Sequence, residues 1–325
     1  MAAGQVLSNA ACFIAVLYGP GDRDLRRSHR QKRGVLAVGR PHTPRRDRSA
    51  DVVASEPDAP TAAPPHRSIL GMRVDRTSYA DAVDRIARWA TAHESRYVCV
   101  ASVNNVMEAH DRPSFMRVMN EADLVTPDGM PLVWGLRSLG ARGATRVYGP
   151  NLTLKILERA AADRIPIALY GGAPDVVEEL ERWVSDHYPA ASIVYSFSPP
   201  FRPLTEDEDA EVVRSIDQVD PGIVLVGLGC PKQEEWMAQH RGRVRAVMVG
   251  VGAAFDFLTN RKRQAPRWLR AAGLEWMFRL ATEPRRLWRR YLRQNPRFVV
   301  LFGTQLLRWK FADAYMTRRS ARKES

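Results

Sequence analysis

Five short segments of this 325-residue chain carry small or polar residues directly after an apolar run. They are Ser102-Val103-Asn104-Asn105, Thr126-Pro127-Asp128-Gly129, Gly171-Gly172, Gly227-Leu228-Gly229-Cys230-Pro231-Lys232-Gln233-Glu234, and Gly250-Val251-Gly252 leading to Asp256. Glycine after a strand lets backbone amides approach a ligand, and Pro231 suits the first turn of a helix whose N-terminus attracts anions. A diphosphate is the guest that such turns predict. Asp128 stands on a strand-to-helix turn.

Each segment also has a plainer reading. Gly227-x-Gly229 lacks the third glycine of a dinucleotide fingerprint and could be a tight turn alone. Asp128 could simply cap the helix that begins near Met130. Arg146 and Asn151, flanking Gly149-Pro150, could be ordinary loop residues. Asp207-Glu208-Asp209 has the spacing of a metal-binding D-x-D, but it opens a polar helix and reads as a capping cluster. No Walker pattern is present.

The elements that must hold these segments alternate between strand and helix. Strands are expected at Ile69–Val74, Tyr97–Ser102, Leu124–Thr126, Ile165–Tyr170, Ile193–Tyr195, Gly222–Val226 and Val244–Val249. Helices are expected after Thr77/Ser78, around Pro113–Glu121, and at Pro150–Asp163 and Pro174–His187. A further helix runs to Gln218 from a capping box at Thr205 and Glu208. In the first helix Val83, Ile86, Ala87 and Ala90 mark one buried face. Runs dense in β-branched residues suit strands covered on both faces. The pattern predicts an α/β, Rossmann-like, parallel-rich sheet with helices on both faces, whose ligands lie beyond the strands' carboxyl ends.

Composition narrows the class. Apolar residues make up 45% and charged residues 26%, which excludes wholesale disorder. The scattered Cys12, Cys99 and Cys230 exclude a disulfide scaffold and a Cys/His zinc site, and fit a reducing compartment. No apolar run reaches the ~18 residues of a spanning helix. The net charge of +13 is unevenly placed: residues 260–325 hold 18 Lys/Arg against 4 Asp/Glu, whereas residues 67–259 hold 21 against 26. Four of the eight tryptophans (Trp268, Trp276, Trp288, Trp309) share that basic tail with Tyr291, Phe298 and Phe302. Arginines beside interfacial aromatics predict a segment that lies on an anionic membrane. A basic surface for nucleic acid is the competing reading, though no RNP-type motif supports it. Residues 1–66 read as a disordered Arg/Pro-rich extension. Within it, Val6–Tyr18 resembles a signal-peptide core without the preceding basic residues.

Taken in order, Asn104, Thr126-Pro-Asp128-Gly129, Arg146-Val-Tyr-Gly149, Gly227-to-Glu234 and Gly250-to-Asp256 resemble the WecG/TagA/CpsF glycosyltransferase family. Arg263-Gln-Ala-Pro266 and the run from Gly273 through Trp276 and Arg279 to Pro284-Arg285 continue the likeness, which spans roughly residues 68–305. The resemblance implies inverting transfer of a hexose, N-acetylmannosamine foremost, from a UDP-sugar to an undecaprenyl-diphosphate-linked sugar in cell-surface polysaccharide synthesis. UDP-glucose or another UDP-hexose would be an alternative donor. We expect a cytoplasmic enzyme, peripheral on the inner face of the plasma membrane, with no cofactor, no metal and no nucleic-acid partner. Asp128 then corresponds to the general base. Ser102 (where the family carries Thr), Asn104, Arg146, Gln233 and Asp256 correspond to substrate-binding positions, with Gly171, Gly172, Gly227 and Gly229 as the turns around them. Arg279, Arg286 and Arg289 correspond to contacts with the lipid diphosphate. Cys230 reads as packing. The expected layout is an extension over 1–66, a transferase domain over 67–262 and a membrane-binding appendage over 263–325.

Overall fold

The computed structural model describes residues 63–321. The Arg-rich stretch, most of the Pro/Ala linker, Cys12 and the Val6–Tyr18 segment lie outside the described residues. In chain order the elements are β1 (His66–Ile69), β2 (Met72–Asp75), α1 (Tyr79–Thr91), β3 (Arg96–Ala101), α2 (Val103–Asp111), α3 (Pro113–Asn120), β4 (Leu124–Pro127), α4 (Met130–Ser138) and α5 (Gly149–Asp163). There follow β5 (Ile167–Gly171), α6 (Pro174–His187), β6 (Ile193–Phe197), α7 (Glu206–Val219), β7 (Ile223–Gly227), α8 (Lys232–His240), β8 (Val247–Gly250) and α9 (Ala254–Leu258). The chain closes with α10 (Arg267–Ala271), α11 (Glu275–Thr282) and α12 (Pro284–Ala321).

Six strands form one sheet in the order β4-β3-β8-β7-β5-β6, every pairing parallel. Side chains alternate across it, as a pleated strand requires. Tyr97, Cys99 and Ala101 of β3 join one buried cluster with α2, α3 and α8, while Val98 and Val100 join the other with α1, α5 and α6. Because all six strands point the same way, their carboxyl ends lie along one edge, with Gly171 level with Gly227 and Val226 level with Gly250. This is the expected Rossmann-like α/β architecture.

Local signals act as read from the sequence. Ser78 caps α1 by accepting the Asp81 N–H at 3.2 Å. Thr205 and Glu208 close a capping box on α7, and Glu208 also receives both Arg202 guanidinium nitrogens at 2.6 Å. Asp209 is engaged by His240 and Arg243. The D-x-D is therefore a helix start, and among the described residues no group of three or more His, Cys, Asp or Glu is placed to hold a metal ion.

Two expectations need correction. The single strand at Ile69–Val74 is instead a hairpin of β1 and β2, turned at Leu70-Gly71 with φ of 52° and 93°. A leucine at positive φ carries no turn signal in sequence, so the break was invisible. Asp75 then leaves the hairpin fully buried, and its Oδ2 accepts the Val125 N–H at 2.7 Å, which ties the hairpin to β4.

The second correction concerns the tail. Pro284–Ala321 is one helix, with Pro296 inside it, and its middle is not a free surface. Phe298 and Phe302 are each 4% exposed and belong to the core cluster containing Ile69 and Leu136. Arg297 pairs with Asp111 at 2.6 Å. The aromatics exposed on the basic arm are Trp268, Trp276, Trp288, Trp309 and Phe311. Among the described residues no helix is long and apolar enough to cross a membrane.

Candidate active site

The carboxyl edge of the sheet sets three of the expected segments in succession along one candidate crevice. Asp128 follows β4, with its backbone N–H fixed by Ala101 O at 2.8 Å. Its carboxylate faces the start of α5: a methyl built on Gly149 would lie 3.9 Å from Asp128 Oδ2 and 3.4 Å from Val251 O. Beyond Val251 comes Gly252, beside the Gln233 side chain. Gln233 Oε1 in turn accepts the Gly229 N–H at 3.1 Å. Residues from β4, β8 and β7 thus succeed one another along the edge, where a parallel sheet places its ligands.

Arg146 anchors the Asp128 end. Its Nε donates to Asp128 O, and Nη2 donates to Asp128 Oδ1 at 3.1 Å and to Glu275 Oε2 at 2.6 Å. The guanidinium also sits 4.5 Å from the Tyr148 ring centroid. Burial pushes the Asp128 carboxyl up to about 6; Arg146 opposes this and Glu275 reinforces it. Such a value leaves the group ionised at neutral pH but far more basic than a solvated aspartate, which is what proton abstraction needs. Glu275, on α11, lies inside the Gly273-to-Pro284 run and carries no site signal of its own in the sequence. Only the folded arm shows that it meets Arg146.

The other end is a buried polar network. Glu234 Oε1 accepts from Asn105 Nδ2 at 2.9 Å and from Gln233 Nε2 at 3.0 Å, while Glu234 Oε2 has no partner among the described residues. Burial raises the Glu234 carboxyl to about 7. Asn105 Oδ1 accepts both the N–H and the hydroxyl of Ser102 at 3.0 Å, and Asn104 Nδ2 lies 3.2 Å from Cys230 Sγ. Gln233 and Ser102 therefore support the loops, with their polar atoms engaged inside the protein. Burial also pushes the Cys230 thiol up, away from thiolate chemistry.

The glycines divide by cause. At Gly171, φ is 109° and a built methyl would come within 2.8 Å of the Gly227 backbone, so strand packing alone demands glycine there. Gly227 and Gly172 make room for the Phe255 ring. Gly229, with φ of 79°, has nothing within 4 Å of such a methyl. It is the glycine whose turn opens onto the crevice.

Asp256 lies on α9 and pairs with Lys262 at 2.6 Å. Nearby, a cleft of about 200 Å³ is lined by Lys262, Arg263, Arg279 and Glu283. Arg279 stacks 5.2 Å from the Phe257 ring, and its charge is felt at Asp128. The inner Nε atoms of Arg270, Arg279 and Arg290 are buried without hydrogen-bond partners among the described residues. Arg286 is instead paired with Glu283, the residue just before its helix, and Arg289 lies over its neighbour Trp288 at 5.3 Å. Of the three arginines expected at a diphosphate, the structure brings Arg279 to the crevice and adds Arg270, which stacks on Tyr148 at 5.5 Å. Arg290 is close enough for its charge to bear on Cys230.

A parallel α/β sheet whose carboxyl edge holds a basic carboxylate, an open glycine turn and arginines with unpartnered Nε atoms suits the class of enzymes that act on phosphorylated substrates. The sequence comparisons give that class its family. Residues 67–312 match the model of the glycosyl transferase WecG/TagA/CpsF family, and the chain belongs to it. It is similar to an N-acetylglucosaminyldiphosphoundecaprenol N-acetyl-beta-D-mannosaminyltransferase of Bacillus spizizenii, at 30% identity over 208 residues, 64% of this chain and 78% of that one. A protein of the same name from Staphylococcus aureus is 27% identical over 234 residues, 71% of this chain and 89% of that one.

Proposed function

We propose that this glycosyltransferase moves N-acetylmannosamine from UDP to N-acetylglucosaminyl-diphospho-undecaprenol, with inversion at the anomeric carbon. The observation that carries the mechanism is the Asp128 carboxylate, half-buried at the sheet edge with one oxygen on Arg146 and the other facing the α5 N-terminus. In this reading Asp128 removes the proton of the acceptor hydroxyl as that oxygen attacks the anomeric carbon. UDP departs with the bonding electrons, so no second carboxylate has to protonate it. The open turn at Gly229 and the helix N-termini beside it suit the donor diphosphate. Arg270 and Arg279 suit phosphate oxygens, since a guanidinium keeps its charge and binds them in two-pronged fashion.

The arm suits the acceptor's setting. Trp268, Trp276 and Trp288 are exposed beside Arg285, Arg286 and Arg289, a composition that favours the interface of an anionic membrane. We place the enzyme on the cytoplasmic face of the plasma membrane, where a UDP-sugar and a polyprenyl carrier meet. The relatives' names favour N-acetylmannosamine over glucose as the transferred sugar. The test is a panel of UDP-sugars offered with the undecaprenyl-linked acceptor in phosphatidylglycerol vesicles, read by mass spectrometry. Transfer of N-acetylmannosamine alone, or far faster than glucose, is expected; preferential transfer of glucose would overturn the donor assignment.

A further inference from the structure

We infer that Glu275 is a positioning residue: carried in by the arm, it shares the Arg146 guanidinium with Asp128 and so preserves the basicity of the Asp128 carboxylate. The inference rests on reading Asp128 as the base. The three side chains are largely buried, with 23%, 17% and 13% exposure for Asp128, Arg146 and Glu275. At such a site an exclusive Arg–Asp pair lowers a carboxylate's pKa by roughly 1–3 units, which would blunt a base. Here the shorter contact of Nη2, 2.6 Å, goes to Glu275, and Asp128 receives the longer one of 3.1 Å. The second carboxylate also adds its own negative field, which raises the Asp128 value.

The remaining groups around Asp128 do not replace this effect. The Tyr79 hydroxyl of α1 accepts the Tyr148 N–H, just before α5, at 3.0 Å, and both tyrosines have pKa values raised by burial. They are uncharged at neutral pH. Arg279 of α11 lowers the Asp128 value, and Arg270 of α10 sits over Tyr148. Positive charge from the arm thus approaches the base together with a carboxylate that offsets it. Glu275 is the group through which arm docking and base strength become one event, since α11 reaches Arg146 only when the arm is folded onto the sheet edge.

The experiment follows the Asp128 carboxyl carbon by 13C NMR across pH 4–9 in the full chain, its signal identified by its loss in Asp128→Asn. Wild type should titrate near 6. Glu275→Gln should titrate about one unit lower, with the acidic limb of the kcat profile displaced the same way and kcat at pH 8 reduced about three- to tenfold. Glu275→Asp, which keeps the charge, should restore most of the shift and carries the test if the Gln variant folds poorly. An unmoved Asp128 midpoint in Glu275→Gln, with only a raised KM for the lipid acceptor, would reduce Glu275 to a docking contact and overturn the inference. A wild type that transfers no sugar while the titration shift is present would instead count against the functional reading alone.

Discussion

Gln305 Oε1 accepts the Leu70 N–H at 2.8 Å, and Gln305 Nε2 donates to Ser68 O at 2.7 Å. One side chain of the C-terminal helix thereby satisfies the turn of the first hairpin, 235 residues away. The basic tail is therefore two things at once: an arm over the crevice from Arg267 to Arg293, and a structural strut from Arg297 to Gln305.

The strut makes truncation a poor probe of the arm. Phe302 packs beside Ile69 and Gly135, and a methyl added at Gly135 would meet its ring at 3.2 Å. Phe302→Ala should lower unfolding free energy by about 3–5 kcal/mol through the lost burial and the cavity left behind. Urea denaturation checks this; a loss below about 1 kcal/mol would mean that the helix does not dock there.

Point changes at the under-paired arginines should separate binding from folding. Arg279→Ala and Arg270→Ala each remove a guanidinium with a buried, unsatisfied Nε. We expect KM for the lipid-diphosphate acceptor to rise about tenfold or more, in line with charge-assisted contacts, with little change in Tm. Arg289→Ala, at a residue stacked only on Trp288, should raise it far less. Equal effects at all three positions would remove the distinction drawn from the structure.

Glu234 supplies a pH signature in stability. Its carboxyl value is raised to about 7, so the folded state favours the protonated form. The stabilisation is fully present below the unfolded value near 4.5 and is lost as pH rises through about 7. Glu234→Gln, which mimics the neutral acid, should therefore gain Tm relative to wild type at pH 8 and not at pH 4.5. A constant difference across that range would contradict the sign.

Gly171→Ala should destabilise the sheet without touching the chemistry. The new methyl would collide with the Gly227 backbone at 2.8 Å in a conformation with φ of 109°. A loss of about 1–3 kcal/mol is expected. Gly229→Ala meets open space, so its penalty is conformational alone, and its larger effect should fall on the KM for the donor.

Much of this was legible in sequence because strand ends announce themselves. Asp128 sits between Pro127 and Gly129, Gln233 two residues after Pro231 and Asn104 just past β3, and the sheet's uniform direction collects them on one edge. Ser78, Thr205 and Glu208 carried their capping roles openly, since these depend on residues three apart. What stayed hidden depends on long-range contact. Glu275 gains meaning from Arg146, which is 129 residues earlier. Asp75 works through Val125, and Phe298 and Phe302 join a core whose other members, such as Ile69 and Leu136, lie far away in sequence. The short helix α2, opening on Val103, was masked by the polar Asn104-Asn105 pair that the same turn presents to the site.

The central claim is that Asp128 takes the acceptor's proton, and a single-turnover pH-rate comparison of wild type and Asp128→Asn tests it most directly. With UDP-N-acetylmannosamine and vesicle-borne acceptor, wild type should lose rate as pH falls through about 6, where the carboxylate becomes protonated. The Asn variant should be slower by about 10²–10⁴-fold at pH 8, with that acidic limb gone. It should also be at least as heat-stable as wild type there, because a buried charge has been removed. An Asn variant that turns over at the wild-type rate would contradict the account.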